Sequence, residues 1–258
     1  MIGIDLGTTN SLVATMTGGR PEILSNELGE VLTPSVVAVA DDQQLLVGRA
    51  AKDRLVVDPD SGQACFKRDM GTDVTYHIGD ISLSPIECSS IVLRELKRIA
   101  EMHLGKEVDD AVISVPAYFR DEQRQATIEA AKLAGLNVLR IINEPTAAAL
   151  AYGYANPASE QTILVFDLGG GTFDVTLLEI FDGVIEVKSS SGESHLGGED
   201  YTDQFLQKIC IDHGLEFNAV EKGHWRQVVE IAKRRLSLQS ETTLELGGQE
   251  FEISRDLF

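Results

Sequence analysis

Two short stretches hold the residue types that phosphate chemistry needs. One is Gly3-Ile4-Asp5-Leu6-Gly7-Thr8-Thr9-Asn10; the other is Phe166-Asp167-Leu168-Gly169-Gly170-Gly171-Thr172-Phe173-Asp174. Each reads as an apolar strand ending in Asp-Leu-Gly, a Gly/Thr turn, then a second strand, Ser11–Met16 in one copy and Asp174–Ile180 in the other. Consecutive glycines let the backbone turn sharply and present its N–H groups, because no Cβ stands in the way. Successive N–H groups in such a turn form a concave nest of donors suited to phosphate oxygens. Asp5 and Asp167 fall at strand ends, where a carboxylate can hold magnesium through its waters. Thr172 adds a hydroxyl and Asp174 a second carboxylate. A single turn of this kind is most simply an ordinary hairpin. Two copies point to two lobes closing on one polyphosphate.

The elements that must position these turns alternate in the α/β manner. Gly18-Gly19 reads as a hairpin, Ser35–Ala40 as a strand, and Ala50–Val57 as a short helix stopped by Asp58-Pro59. Cys65-Phe66-Lys67-Arg68 reads as a loop. Its Lys-Arg pair is either a solvated surface or a cation brought to a phosphate. Ser84-Pro85-Ile86-Glu87 has the form of a capped helix start, and that helix is expected to run to about Leu104. Ala111–Val115 and Asn137–Ile142 read as strands flanking a helix that Asp121 caps and Gly135 ends. The order implies a parallel sheet with right-handed crossovers. Asn143-Glu144-Pro145-Thr146 opens an alanine-rich helix, where Glu144 is either a first-turn acid favoured by the dipole or a site residue at a strand end. Thr162–Val165 is expected to be a buried strand and Gly183 a hairpin turn. Tyr201–His213 and Trp225–Leu236 read as helices, and Thr242–Leu246 with Glu250–Ser254 as a hairpin turned at Gly247-Gly248. His195, alone in its loop, reads as structural.

Composition narrows the partners. A net charge of −19 argues against a nucleic-acid or anionic-membrane surface, each of which needs clustered Lys and Arg. Cys65, Cys88 and Cys210 match neither a disulfide framework nor a zinc site. No apolar run approaches the length of a membrane helix, and the expectation is a cytoplasmic protein. The chain lacks the P-loop signature, the G-x-G-x-x-G of a dinucleotide fold, a metal-binding His/Cys cluster and a G-x-S-x-G elbow.

IGIDLGTTNS, VISVPAYF, INEPTAAALAYG, FDLGGGTFDV and HLGGED, in this order, resemble the ATPase domain of the seventy-kilodalton heat-shock chaperones, the DnaK family. The resemblance implies an actin-like α/β fold of duplicated ribonuclease H-like lobes around a cleft for ATP or ADP with Mg2+. It divides the chain into lobe I, residues 1–158, and a partial lobe II, residues 159–258, with the peptide-binding domain absent. Asp5 and Asp167 resemble the carboxylates that place magnesium through water. Gly7, Thr8, Thr9 and Asn10 would line the phosphates from one side, and Gly169, Gly170, Gly171 and Thr172 from the other, with Gly197 and Gly198 of HLGGED nearby. Lys67 resembles the lysine that reaches the γ-phosphate and attacking water; Glu144, Thr172 and Asp174 complete that network. Glu230, Lys233, Arg234 and Ser237, in EIAKRRLS, resemble part of an adenosine pocket. Pro116 and Arg124 resemble a switch that couples nucleotide state to a substrate domain. Arg140, Asn143 and Thr146 match positions that contact J-domain cochaperones, and a nucleotide exchange factor is a further expected partner.

Two features depart from the typical pattern. The stretch around residues 68–84 is short, as in the specialised HscC branch, and the chain stops before the family's last adenosine motif. A filament or scaffold protein of the actin superfamily and a small-molecule kinase of the same fold are the competing readings.

Overall fold

The computed structural model describes residues 1–155, 160–181 and 184–258. The chain opens on β1 (Ile2–Asp5), β2 (Asn10–Thr17) and β3 (Arg20–Ile23). Gly18 and Gly19, at φ 58° and 80°, make the expected tight turn between β2 and β3. A layer of short strands follows: β4 (Thr33–Pro34), β5 (Val36–Val39), β6 (Leu45–Val47) and β7 (Gly62–Ala64), with α1 (Arg49–Val57) packed on β5. The small hairpin β8 (Tyr76–Ile78) and β9 (Ile81–Leu83) lies in the shortened stretch and buries Ile78 completely.

The long helix α2 (Pro85–Leu104) begins as its sequence demands. Ser84 Oγ accepts from the Glu87 N–H while a Glu87 carboxylate oxygen accepts from the Ser84 N–H at 2.7 Å. Its apolar stripe buries Ile91, Val92, Leu93, Leu96 and Ile99. Then come β10 (Asp110–Val115), α3 (Asp121–Leu133), β11 (Asn137–Asn143) and α4 (Glu144–Ala155). The first sheet has the order β11-β10-β1-β2-β3, with β4 attached to β2. β10 runs parallel to both β1 and β11, as the strand–helix–strand order requires.

The second part is built on β12 (Gln161–Leu168), β13 (Phe173–Phe181) and β14 (Val184–Glu193), a three-stranded antiparallel sheet. α5 (Gly198–His213) and α6 (Ala219–Leu236) pack together with the hairpin β15 (Glu241–Leu246) and β16 (Gln249–Ser254). Two principal hydrophobic cores result. One joins β1, β2, β10, α2 and α3; the other joins α5, α6, β15 and β16 around Leu206, Val229 and Leu246.

Several sequence expectations need correction. Thr162–Val165 is not buried: among the described residues β12 is bonded only to β13, and Leu164 and Phe166 stay 63% and 66% exposed. Asp121 is the first residue of α3; the extended residue before it is Arg120, whose N–H donates to Gln123 Oε1. α5 starts at Gly198 and α6 at Ala219, both earlier than expected, α6 because Asn218 and Glu221 form a capping box that apolar periodicity cannot show. Cys65–Arg68 is not an open loop, since Phe66–Asp69 forms a 3-10 turn entered through Cys65 at φ 57°. The hairpin at Gly183 and the division between residues 158 and 159 lie outside the described residues.

Leu93→Ala, at a fully buried α2 position, is expected to lower unfolding free energy by about 2–5 kcal/mol. Leu139→Ala, on half-exposed β11, should stay within about 0.5 kcal/mol of the parent in the same urea titration.

Candidate functional site: a cleft where two glycine–threonine turns meet

The two turns sit against each other. A Cβ added at Gly170 would come within 2.0 Å of Thr9 Oγ1, and one at Gly171 within 2.2 Å of Thr8 Cγ2. Only glycine permits this approach. Gly197 closes the junction from a third side, where a Cβ would meet the Gly170 carbonyl carbon and the Gly171 nitrogen at 2.5 Å. The second turn is also tied by its own backbone: the Gly169 N–H donates to the Thr172 carbonyl, and the Gly169 and Gly170 carbonyls accept from the N–H groups of Gly198 and Glu199. In the first turn, the Gly7 carbonyl accepts from Ser35 Oγ at 2.7 Å.

Beside this junction lies a cleft of about 670 Å3. Of the residues proposed from sequence, Asp5, Gly7, Thr8, Thr9, Asn10, Lys67, Glu144, Asp167, Gly169, Gly170, Thr172, Gly198, Glu230 and Arg234 all line it. Gly171 and Gly197 lie behind the lining, at the junction itself. Asp174 opens β13 directly opposite Asp167 in the hairpin register and is 3% exposed. Lys233 turns inward instead: its ammonium donates to the Gly198 carbonyl and Thr202 Oγ1 and pairs with Glu230. Ser237 is exposed just after α6. Neither residue lines the cleft.

The Lys67-Arg68 pair is no solvated surface. Lys67 is 4% exposed, and its Nζ lies 2.8 Å from Glu144 Oε1. It also stands over the Phe119 ring, 5.7 Å from the centroid. Glu144, at the end of β11, is thus a cleft residue as well as a first-turn acid. Arg68 reaches across to the Gly171 carbonyl and to Asp200 on α5. Ser114 Oγ donates to Asp5 Oδ1 at 2.9 Å, fixing that carboxylate.

Burial dominates the electrostatics, and neighbouring acids add to it. Burial, with Asp5 and Asp167 nearby, pushes the Glu144 carboxyl up despite Lys67. Asp167 is raised by burial and then by Asp5. Asp174 is pushed up to about 7, first by burial and then by Glu144 and Asp167. Thr8 Oγ1, Thr9 Oγ1 and Asp174 Oδ1 are buried without a hydrogen-bond partner. Natural structures rarely leave such atoms unsatisfied, so two of them at the junction, with Asp174 beside Asp167, mark a place built for polar contacts. Among the described residues, no group of three His, Cys, Asp or Glu side chains is placed to chelate a metal directly.

Comparison with known proteins places this arrangement. The model of the Hsp70 protein family matches residues 1–253. The chain belongs to the Hsp70 family. The chaperone protein DnaK of Thermotoga neapolitana is 46% identical over 276 residues, which cover 100% of this chain and 46% of that protein. DnaK of Thermotoga petrophila is 45% identical over the same extent. This Hsp70 chain therefore spans about half the length of the curated relatives it matches. Its α/β architecture is the actin-like ATPase fold of the family.

The positions expected to serve as switch and cochaperone contacts adjoin the cleft. Arg124 donates to Asn143 Oδ1 at 2.8 Å and to the carbonyls of Phe119 and Ala117. It therefore ties α3 to the strand end that carries Glu144. Pro116 is buried, Arg140 is exposed on β11, and Thr146 lies partly exposed in the first turn of α4. Ser114 and Tyr118 fall within VISVPAYF and Asp200 within HLGGED, but the motifs do not say which of their residues face the site. Tyr118 packs so near Asp174 that a Cβ at Gly192 would strike both.

A carboxyl whose folded-state value exceeds its unfolded value of 3.8 stabilises the fold at low pH and loses that contribution as pH climbs through its folded-state value. Asp174→Asn in the metal-free, nucleotide-free chain should therefore gain stability over the parent as pH rises from about 5 to about 8, by roughly 1–2 kcal/mol once partial solvation is allowed for. Urea midpoints at the two pH values measure it; a pH-independent difference would contradict the titration.

Proposed function

We propose that this chain is the nucleotide-binding and ATP-hydrolysing part of an Hsp70-type molecular chaperone. Lobe I (residues 1–158) and lobe II (residues 159–258) close on ATP or ADP with Mg2+. The observation that carries this reading is the junction itself: two Asp-Leu-Gly turns from separate sheets meet at a cleft, leaving the Thr8, Thr9 and Asp174 oxygens buried and unpartnered. Hydroxyls and turn N–H groups suit phosphate oxygens. Carboxylates at the two strand ends, Asp5 and Asp167, suit magnesium held through its waters, as that small, strongly hydrated cation prefers.

In this reading Asp5, fixed by Ser114, and Asp167 hold the hydrated magnesium, which neutralises charge on the phosphates. Thr8, Thr9, Thr172 and the glycines of both turns bind and orient the polyphosphate. Lys67, already partnered by Glu144, supplies positive charge at the transferring phosphoryl. Asp174, with its raised affinity for a proton, accepts the proton of the attacking water, helped by Glu144. The protein's contribution is mainly positioning and charge neutralisation. Glu230 and Arg234 serve the adenosine from the cleft wall, while Lys233 braces that wall through Gly198 and Glu230.

The same reading assigns the chain to the cytoplasm and to heat-shock and stress-response duties, with client polypeptides bound outside these residues. Among the described residues no helix is long and apolar enough to cross a membrane. J-domain cochaperones would dock near Arg140, Asn143 and Thr146, and an exchange factor would reopen the lobes. The family match runs against a filament protein or a small-molecule kinase.

Calorimetric titration with Mg·ADP is expected to show saturable one-to-one binding. Lys67→Ala and Asp167→Ala should each lower ATP turnover by about 100-fold or more, with circular dichroism unchanged. Turnover undiminished in both variants would defeat the roles assigned to these two side chains.

A further inference from the structure

The glycine turn of lobe II is held by three successive carbonyl oxygens. The Gly169 and Gly170 carbonyls accept from the N–H groups of Gly198 and Glu199, which open α5 in the same lobe. The Gly171 carbonyl accepts instead from Arg68 Nε at 2.9 Å, and Arg68 belongs to lobe I. The same guanidinium makes a forked contact with both carboxylate oxygens of Asp200, in the first turn of α5. Arg68 is well buried, its side chain 14% exposed, and follows directly on Lys67 in one 3-10 turn.

The geometry points to Arg68 as a positioning residue that locks the lobe II phosphate turn to lobe I and fixes the aim of its N–H groups. Three features carry this. A peptide unit whose carbonyl is held on one side must direct the following N–H to the other, so anchoring Gly171 orients the Thr172 amide. A guanidinium suits the task because its planar fork grips a carboxylate with two donors while Nε remains for a third acceptor, which a lysine ammonium cannot match. Finally, Lys67 and Arg68 are adjacent on one short, rigid turn, so lobe closure sets the catalytic ammonium and the turn together. Arg68 acts through Gly171 and Asp200 and touches no reacting atom. This rests on the nucleotide reading above.

The test pairs a phosphate-specific readout with one that needs no nucleotide, using the whole 258-residue chain. Calorimetry compares Mg·ADP with AMP for the parent, Arg68→Ala, Arg68→Lys and Asp200→Asn. Arg68→Ala should weaken Mg·ADP by about tenfold or more, as for a lost charge-assisted bond, and leave AMP within about twofold, since AMP has one phosphate to place. Arg68→Lys should keep most of that penalty although the charge remains. Asp200→Asn, which spares the Gly171 bond, should cost less than Arg68→Ala. In parallel, pulsed electron paramagnetic resonance measures the distance between nitroxides at Asp53→Cys on α1 and Lys222→Cys on α6, without nucleotide. The distribution should broaden in Arg68→Ala and narrow again in Arg68→Lys. Equal losses for ADP and AMP, or an unchanged distance distribution in Arg68→Ala, would overturn the proposal. If the parent binds no Mg·ADP, the nucleotide reading fails, and the distance measurement alone decides whether Arg68 joins the lobes.

Discussion

Three carboxylates, Asp5, Glu144 and Asp167, line a cleft, with Asp174 buried opposite Asp167, and the one buried ammonium there, among the described residues, is Lys67. Burial raises the proton affinity of Glu144, Asp167 and Asp174, and the like charges around them raise it further. The rest of the structure answers to that crowding. Buried acids of this number cost free energy unless protonated or met by positive charge. The fold sets Lys67 among them and leaves the remaining charge to whatever enters the cleft. Three buried oxygens without partners belong to the same account; the proposed occupant, a polyphosphate with its magnesium ion, would bring the cation that these acids call for.

Holding such a site requires stiff supports, and they come from ordinary secondary-structure physics. β1 and β12 end at Asp5 and in the Asp167-Leu168 pair because Gly-rich turns follow at once. β10 lies beside β1, so Ser114 falls opposite Asp5 in the parallel register and can bond it. β11 delivers Glu144 at the start of α4, where helix N–H groups favour an acid. α2 and α3 cover one face of that sheet with a continuous apolar core, so the strand ends are fixed by packing far from the chemistry.

Much of this is written plainly in the sequence. The duplicated Asp-Leu-Gly turns, the α2 cap at Ser84 and the parallel β10–β11 pair each follow from local signals, and the structure contains all three. Other features depend on partners distant in the chain. Lys67-Arg68 has the composition of a surface; what makes it a core pair is Glu144, 77 positions on, and Asp200, 132 positions from Arg68. β12 has the composition of a buried strand, but burial is set by neighbours in the sheet, and its second edge has none among the described residues. The start of α6 escapes a periodicity argument because Asn218 and Glu221 form a polar cap with no apolar period to announce it. Lys233 shows the same limit: its helix position is legible, but three acceptors, on Gly198, Thr202 and Glu230, hold its ammonium within the wall and out of the lining.

The near-touching of Gly170 with Thr9, of Gly171 with Thr8, and of Gly197 with Gly170 and Gly171 changes what the glycine signature means. Those three residues are required by steric exclusion where the two turns meet, before any ligand is considered. A chain could lose every carboxylate of the cleft and still need glycine at these positions to close. Gly170, Gly171 and Gly197 are therefore a fingerprint of architecture, to be expected in any relative that shuts in this way, active or not. Under the function proposed above, the information that separates a working catalyst from an inert homologue lies instead in five scattered letters: the acids at 5, 144, 167 and 174 and the lysine at 67.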